Sequence, residues 1–138
     1  MLIDTPISLG ELVDKISILM IKQKNINDKS KISHVNKELD YLKITLEKNI
    51  KKEEIHNYLD QLVKINSELW KIEDDIRECE RKKMFDHTFI ELARSVYFTN
   101  DKRANVKSEI NIKFGSELVE VKSYEKYWSI NSWNTCWN

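Results

Sequence analysis

Apolar residues recur along most of the chain at alternating steps of three and four, which places them on single faces of amphipathic helices. Leu9, Leu12, Ile16, Leu19 and Ile26 form the first such face, widened by Val13 and Met20 and interrupted only at Gln23. Pro6 marks a break before it, and Ser8 with Glu11 three residues on has capping-box spacing, so a helix is expected to start near Ser8. The polar run at residues 25–31 predicts a turn, with Asp28 or Ser30 as the next cap. Ile32, Val35, Leu39, Leu42 and Leu46 then predict a second helix over about 30–49.

The most regular stretch follows. Ile55, Tyr58, Leu62, Ile65, Leu69, Ile72, Ile76 and Cys79 keep a coiled-coil-like spacing that predicts one long helix over about 53–83. At 1.5 Å per residue it would reach roughly 46 Å, too long for the second helix to cover. Its first half is expected to pack against helix 2. Asp86, or Thr88 with Glu91, begins a fourth helix that runs to about Phe114 and stops at Gly115. There Phe89, Leu92, Val96, Val106 and Ile110 make a stripe that carries Thr99 and Arg103 in its middle, so a basic residue is aimed at the core.

Beyond Gly115, Leu118, Val119 and Val121 fit either a short strand or a packed loop, and Trp128, Trp133 and Trp137 lie in a polar setting with no periodicity. The organisation expected is all-α: an antiparallel bundle of about four helices in a single domain over 1–127, with a Trp-rich tail over 128–138. Composition agrees. Two glycines and one proline are too few for the turns of a β fold, and 41% hydrophobic residues can supply a core in 138 residues.

Charge narrows the partners. The 23 basic and 23 acidic residues cancel and are intermixed, which disfavours a dedicated nucleic-acid binder, and Lys51-Lys52 and Arg81-Lys82-Lys83 read as solvated helix ends. Cys79 and Cys136 make neither a disulfide framework nor a metal motif, no segment has membrane-span length, and the N-terminus lacks a leader pattern, so a cytoplasmic protein is expected. His34, His56 and His87 share no spacing, and no cofactor or metal is called for.

If helices 3 and 4 form an antiparallel hairpin turning near Asp86, residues at one level have numbers summing to about 172. Arg94 then lies level with Glu78, Tyr97 with Asp75, Asn100 with Ile72, and Arg103 with Leu69. Acids flank the helix 3 stripe, so Arg103 is expected to meet Glu68 or Glu73, and Arg94 to meet Glu78 or Asp75, with at least one charge-assisted pair. The plain interpretation is interhelical salt bridges that set register. The functional one is a polar pocket of Glu68, Trp70, Glu73, Asp74, Asp75, Glu78, Arg94, Tyr97, Asn100, Asp101 and Arg103. Asp74 and Glu78, like charges one turn apart, and Asn100-Asp101 inside a helix favour it.

Several stretches together resemble a bacterial domain-of-unknown-function family, number 6165. They are the run from Pro6 through Gly10-Glu11-Leu12-Val13-Asp14 to Leu19, Glu68-Leu69-Trp70-Lys71-Ile72-Glu73-Asp74-Asp75-Ile76-Arg77, Phe89-Ile90-Glu91-Leu92-Ala93-Arg94-Ser95-Val96-Tyr97, Asn100-Asp101-Lys102-Arg103-Ala104 and Val121-Lys122-Ser123-Tyr124. The likeness spans about residues 6–127. The resemblance implies no reaction and no ligand, but its stretches coincide with the polar constellation and add the start of helix 1.

Three functions compete. The first is a non-enzymatic helical scaffold that forms a homo-oligomer or docks on a protein partner, because apolar positions from Ile72 to Cys79 lie beyond helix 2. The second is a binder of a small anionic or sugar-like ligand, with Trp70 and Tyr97 stacking on a ring and Arg94 or Arg103 holding a phosphate. The third is a divalent-metal-dependent nucleotide hydrolase of the all-α type, for which Glu11 with Asp14 and Asp75 with Glu78 have i, i+3 spacing but not the order those enzymes show.

Overall fold

A computed structural model describes residues 1–127 of the chain. They form four helices, α1 (Leu9–Asn25), α2 (Lys29–Asn49), α3 (Lys52–Lys82) and α4 (His87–Lys113), with no strand among them. Each expected helix is present, and three start where a side-chain acceptor meets an orphan first-turn amide. Ser8 Oγ accepts from Glu11 N at 3.1 Å, Asp28 Oδ1 from Lys31 N at 2.9 Å, and Asp86 Oδ1 from Phe89 N at 3.3 Å. Asp86 rather than Thr88 thus caps α4. At the end of α3 Lys83 adopts the left-handed conformation, φ 54°, and its N–H reaches back to Cys79 O and Glu80 O.

The helix at the centre is α1. It packs against each of the other three and α3 packs against α4, whereas α2 joins the bundle mainly through α1. This corrects the expectation that the first half of α3 is a core formed with α2. The core joins Leu12, Val13, Ile16 and Leu19 to Val35, Leu39 and Leu46 of α2, Ile55 and Leu62 of α3, and Val106 and Ile110 of α4. A helix enclosed on several sides buries more than one stripe, so Asp14 and Ser17 are as fully buried as Val13 and Ile16.

At its start α1 comes very close to α4. Gly10 N donates to Asn111 Oδ1 at 2.7 Å and Leu9 N to Ser116 Oγ at 3.1 Å, so residues of and beyond α4 satisfy the free amides of α1. A Cβ on Gly10 would lie 2.6 Å from the Lys107 carbonyl oxygen, which explains why this helix position carries no side chain.

The 17 residues of α1 span about 25 Å and the 31 of α3 about 46 Å. From residue 67 to residue 98 no residue is buried, so the distal half of α3 and the first half of α4 form a two-helix arm beyond α1. The segment after Gly115 is irregular and largely exposed, with Leu118, Val119 and Val121 open to solvent, neither strand nor packed loop. The Trp-rich tail lies outside the described residues.

Candidate functional site

A buried charge cluster occupies the junction of α1, α3 and α4. Asp14 is wholly buried, where a carboxylate must be met by donors. Arg103 supplies them from α4, with Nε 3.0 Å from both carboxylate oxygens and Nη2 2.5 Å from Oδ2. Asn66 of α3 donates from Nδ2 to Asp14 Oδ1 and to Ser17 Oγ, both at 2.8 Å, while Ser17 Oγ donates to the Asp14 carbonyl at 2.6 Å. One carboxylate thus ties three helices together.

Lys107, one turn beyond Arg103 on α4, is the second cation of the cluster. Its Nζ lies 2.7 Å from Glu11 Oε2, 2.8 Å from Glu120 Oε2 and 3.8 Å from Asp14 Oδ2. Burial works to lower its pKa, but the bonds to Glu11 and Glu120 outweigh that and raise it above the ordinary lysine value. The bonds it donates to Asp14 raise the Arg103 pKa against the same opposing burial. Glu120, bonded to Lys107 and to Lys122 at 3.0 Å, is held below the usual glutamate value of 4.5.

These bonds tether the segment after α4. A carboxylate whose pKa falls on folding contributes stability above its unfolded pKa and loses it as the pH drops through the folded value. Acidification below pH 4.5, the ordinary glutamate value, is therefore expected to release this segment before the helices melt. Backbone NMR order parameters around Glu120 should fall while the amide protection of α1 and α3 persists.

The expected charge-assisted pair exists with a different partner. Arg103 binds Asp14, not Glu68 or Glu73, because α1 inserts against α4 at this level. Arg94 meets neither Glu78 nor Asp75; it pairs along its own helix with Glu91 at 3.1 Å, and its bonds to Tyr97 and Glu91 raise its pKa. The acids of α3 also pair locally, Asp75 with Lys71 at 2.9 Å, Glu73 with Arg77 at 2.6 Å, and Glu78 with Lys82 at 3.1 Å and with Arg81. On long helices i, i+3 and i, i+4 neighbours are reached first.

Of the eleven residues expected to share a pocket, Trp70, Glu73, Asp74, Asn100 and Arg103 line one cleft, about 410 Å³ in volume. It lies between α1 and the arm, and Ile18, Ile21, Asn66, Leu69 and Arg77 complete it. Tyr97, Asn100 and Asp101 border a larger groove of about 1130 Å³ between α4 and the segment after it. In that groove Tyr127 donates to Asp101 and its ring sits 5.0 Å from that of Tyr97. Glu68, Asp75, Glu78 and Arg94 line neither.

The sequence reading left out Asn66, Lys107 and Glu120, and treated Asp14 only as half of an acid pair. Two signals pointed to them. Asp14 and Ser17 lie one turn apart within the most apolar helix, and Gly10, one of only two glycines, sits where α1 needs a close neighbour. Glu11 and Asp14, and likewise Asp75 and Glu78, are paired with cations, and no group of three His, Cys, Asp or Glu suited to a metal occurs among the described residues.

A family model described as a family of unknown function, DUF6165, matches residues 3–136. The chain belongs to this family. The DUF6165 match covers α1 to α4 and extends past residue 127, so the tail lies mostly inside the family pattern, not beyond it as expected. No curated protein and no solved structure matches the chain. No described helix is long and apolar enough to cross a membrane.

Proposed function

We propose that this protein is a non-enzymatic helical interaction module that pairs with a second copy of itself through the α3–α4 arm. The observation that carries the reading is the absence of any buried residue from 67 to 98, although the heptad-like apolar stripe continues through that stretch. Ile72, Ile76, Cys79, Leu92 and Val96 are partly buried and none is fully enclosed, and Met84, Phe85 and Ile90 are exposed near the tip of the arm. Two helices cannot enclose a coiled-coil-like seam from both sides, whereas four can.

A second copy suits the arm because it brings the same stripe and an opposed charge pattern. The arm is acidic at Glu73-Asp74-Asp75 and basic at Arg81-Lys82-Lys83, so two arms laid antiparallel set the tip of one toward the acidic stretch of the other. A reducing, cytoplasmic setting goes with this reading, since Cys79 is a free thiol on the arm.

Sedimentation velocity is expected to give a dimer, and Ile76→Asp a monomer with unchanged helicity by circular dichroism. Ile90→Asp, at an exposed position, serves as a second variant that leaves the fold intact. A wild-type chain that remains monomeric at near-millimolar concentration would refute the reading.

A further inference from the structure

The cleft between α1 and the arm has unlike polar groups at its two ends and an apolar floor between them. Arg103 anchors the inner end. Asp14 engages its Nε and Nη2 side, and the only other bond among the described residues is a long one, 3.5 Å, from Nη1 to Asn100 Oδ1. The Nη1/Nη2 edge, the one that takes a carboxylate end-on, is left for another partner, and the side chain is 28% exposed. Held by a buried carboxylate, this guanidinium is already oriented, so little entropy is lost when it binds.

Asn66 lies beside it, since both reach Asp14. Its two hydrogen bonds come from Nδ2, and no buried side-chain oxygen among the described residues lacks a partner, so its free Oδ1 opens to the cleft it lines. Up α3 from Asn66, Trp70 is one turn away and Asp74 two, about 12 Å along the axis. Glu73 is taken by Arg77, and Asp74 is the cleft carboxylate with no ion pair among the described residues. Ile18, Ile21, Leu69 and Trp70 supply the surface between the two ends.

We propose that this cleft binds a small linear zwitterion: its carboxylate on the free edge of Arg103 beside Asn100, its ammonium at Asp74, and its apolar chain along Ile18, Ile21, Leu69 and Trp70. The opposite charges at the two ends argue against a simple anion, which the rim acids would repel, and against a simple cation, which Arg103 would repel. The site goes beyond the self-association reading and does not depend on it.

The test uses three probes of matched length, ω-aminooctanoate, octanoate and octylamine, titrated into the full chain. The readouts are calorimetry and the Trp70 indole N–H resonance, assigned through Trp70→Phe. The zwitterion is expected to bind about tenfold more tightly than either single-charge probe and to shift the Trp70 resonance. Asp74→Asn, at an exposed position, should abolish the preference for the zwitterion over octanoate, and Asn100→Ala should weaken both. The same titration on the monomeric Ile76→Asp should retain the preference for the zwitterion, which separates this site from dimer formation. Equal affinity for octylamine and the zwitterion, no saturable binding to the folded chain, or a preference that survives Asp74→Asn would each overturn the proposal.

Discussion

Replacing Asp14 with alanine is expected to cost about 3–5 kcal/mol of folding stability, the largest loss from any single charged side chain here. The carboxylate itself is not the main source of that loss, because taking it out of water is nearly as costly as its bonds are favourable. The loss arises from what remains behind. Arg103 would lose all three of its short bonds, Asn66 one of its two acceptors, and Lys107, only 6% exposed, the nearby charge at 3.8 Å. Urea denaturation would measure the effect, and a cycle with Arg103→Met would apportion it. If the pair is the source, Arg103→Met should recover a large part of the Asp14→Ala loss, because no unpaired cation is then left at the junction. A change below about 1 kcal/mol in Asp14→Ala would show that solvent reaches the cluster.

The second large effect is expected at Gly10→Ala, where local and tertiary preferences have opposite signs. In a free helix the exchange favours folding by about 1 kcal/mol, because alanine is the better helix former. Here the added methyl would meet the backbone oxygen of Lys107 at 2.6 Å and Asn111 Oδ1 at 3.0 Å. Backbone cannot rotate away as a flexible side chain does, so α1 and α4 must separate, straining the Gly10–Asn111 bond and the pairing of Lys107 with Glu11. The expected result is a net destabilisation of about 1–3 kcal/mol by thermal or chemical unfolding. A stabilised Gly10→Ala protein would mean that the two helices do not touch there.

The helices were legible because their signals are local. The three-four alternation, Ser8, Asp28 and Asp86 as caps, and Gly115 at φ 65° as a terminator involve residues within a few positions of one another. Hydrophobic spacing also showed that α3 outruns its neighbours, and the arm follows from that. The partners of the charges were less legible. A register drawn for helices 3 and 4 alone placed Arg103 near Leu69, close to the level of Asn66 where it is found, yet named the wrong acid because it had no place for α1.

By itself, then, the sequence determined the number and bounds of the helices and the presence of a basic residue that had to be paired, since each depends on periodicity, capping and the cost of burying an unpaired charge. Only the tertiary structure decided which helix lies at the centre, that Asp14 rather than Glu68 or Glu73 receives Arg103, and which polar residues converge on a cleft. Those outcomes depend on contacts between segments as distant as residues 14, 66, 103 and 120. Many chain paths satisfy the same local pattern, and packing of α1 against three partners selects among them.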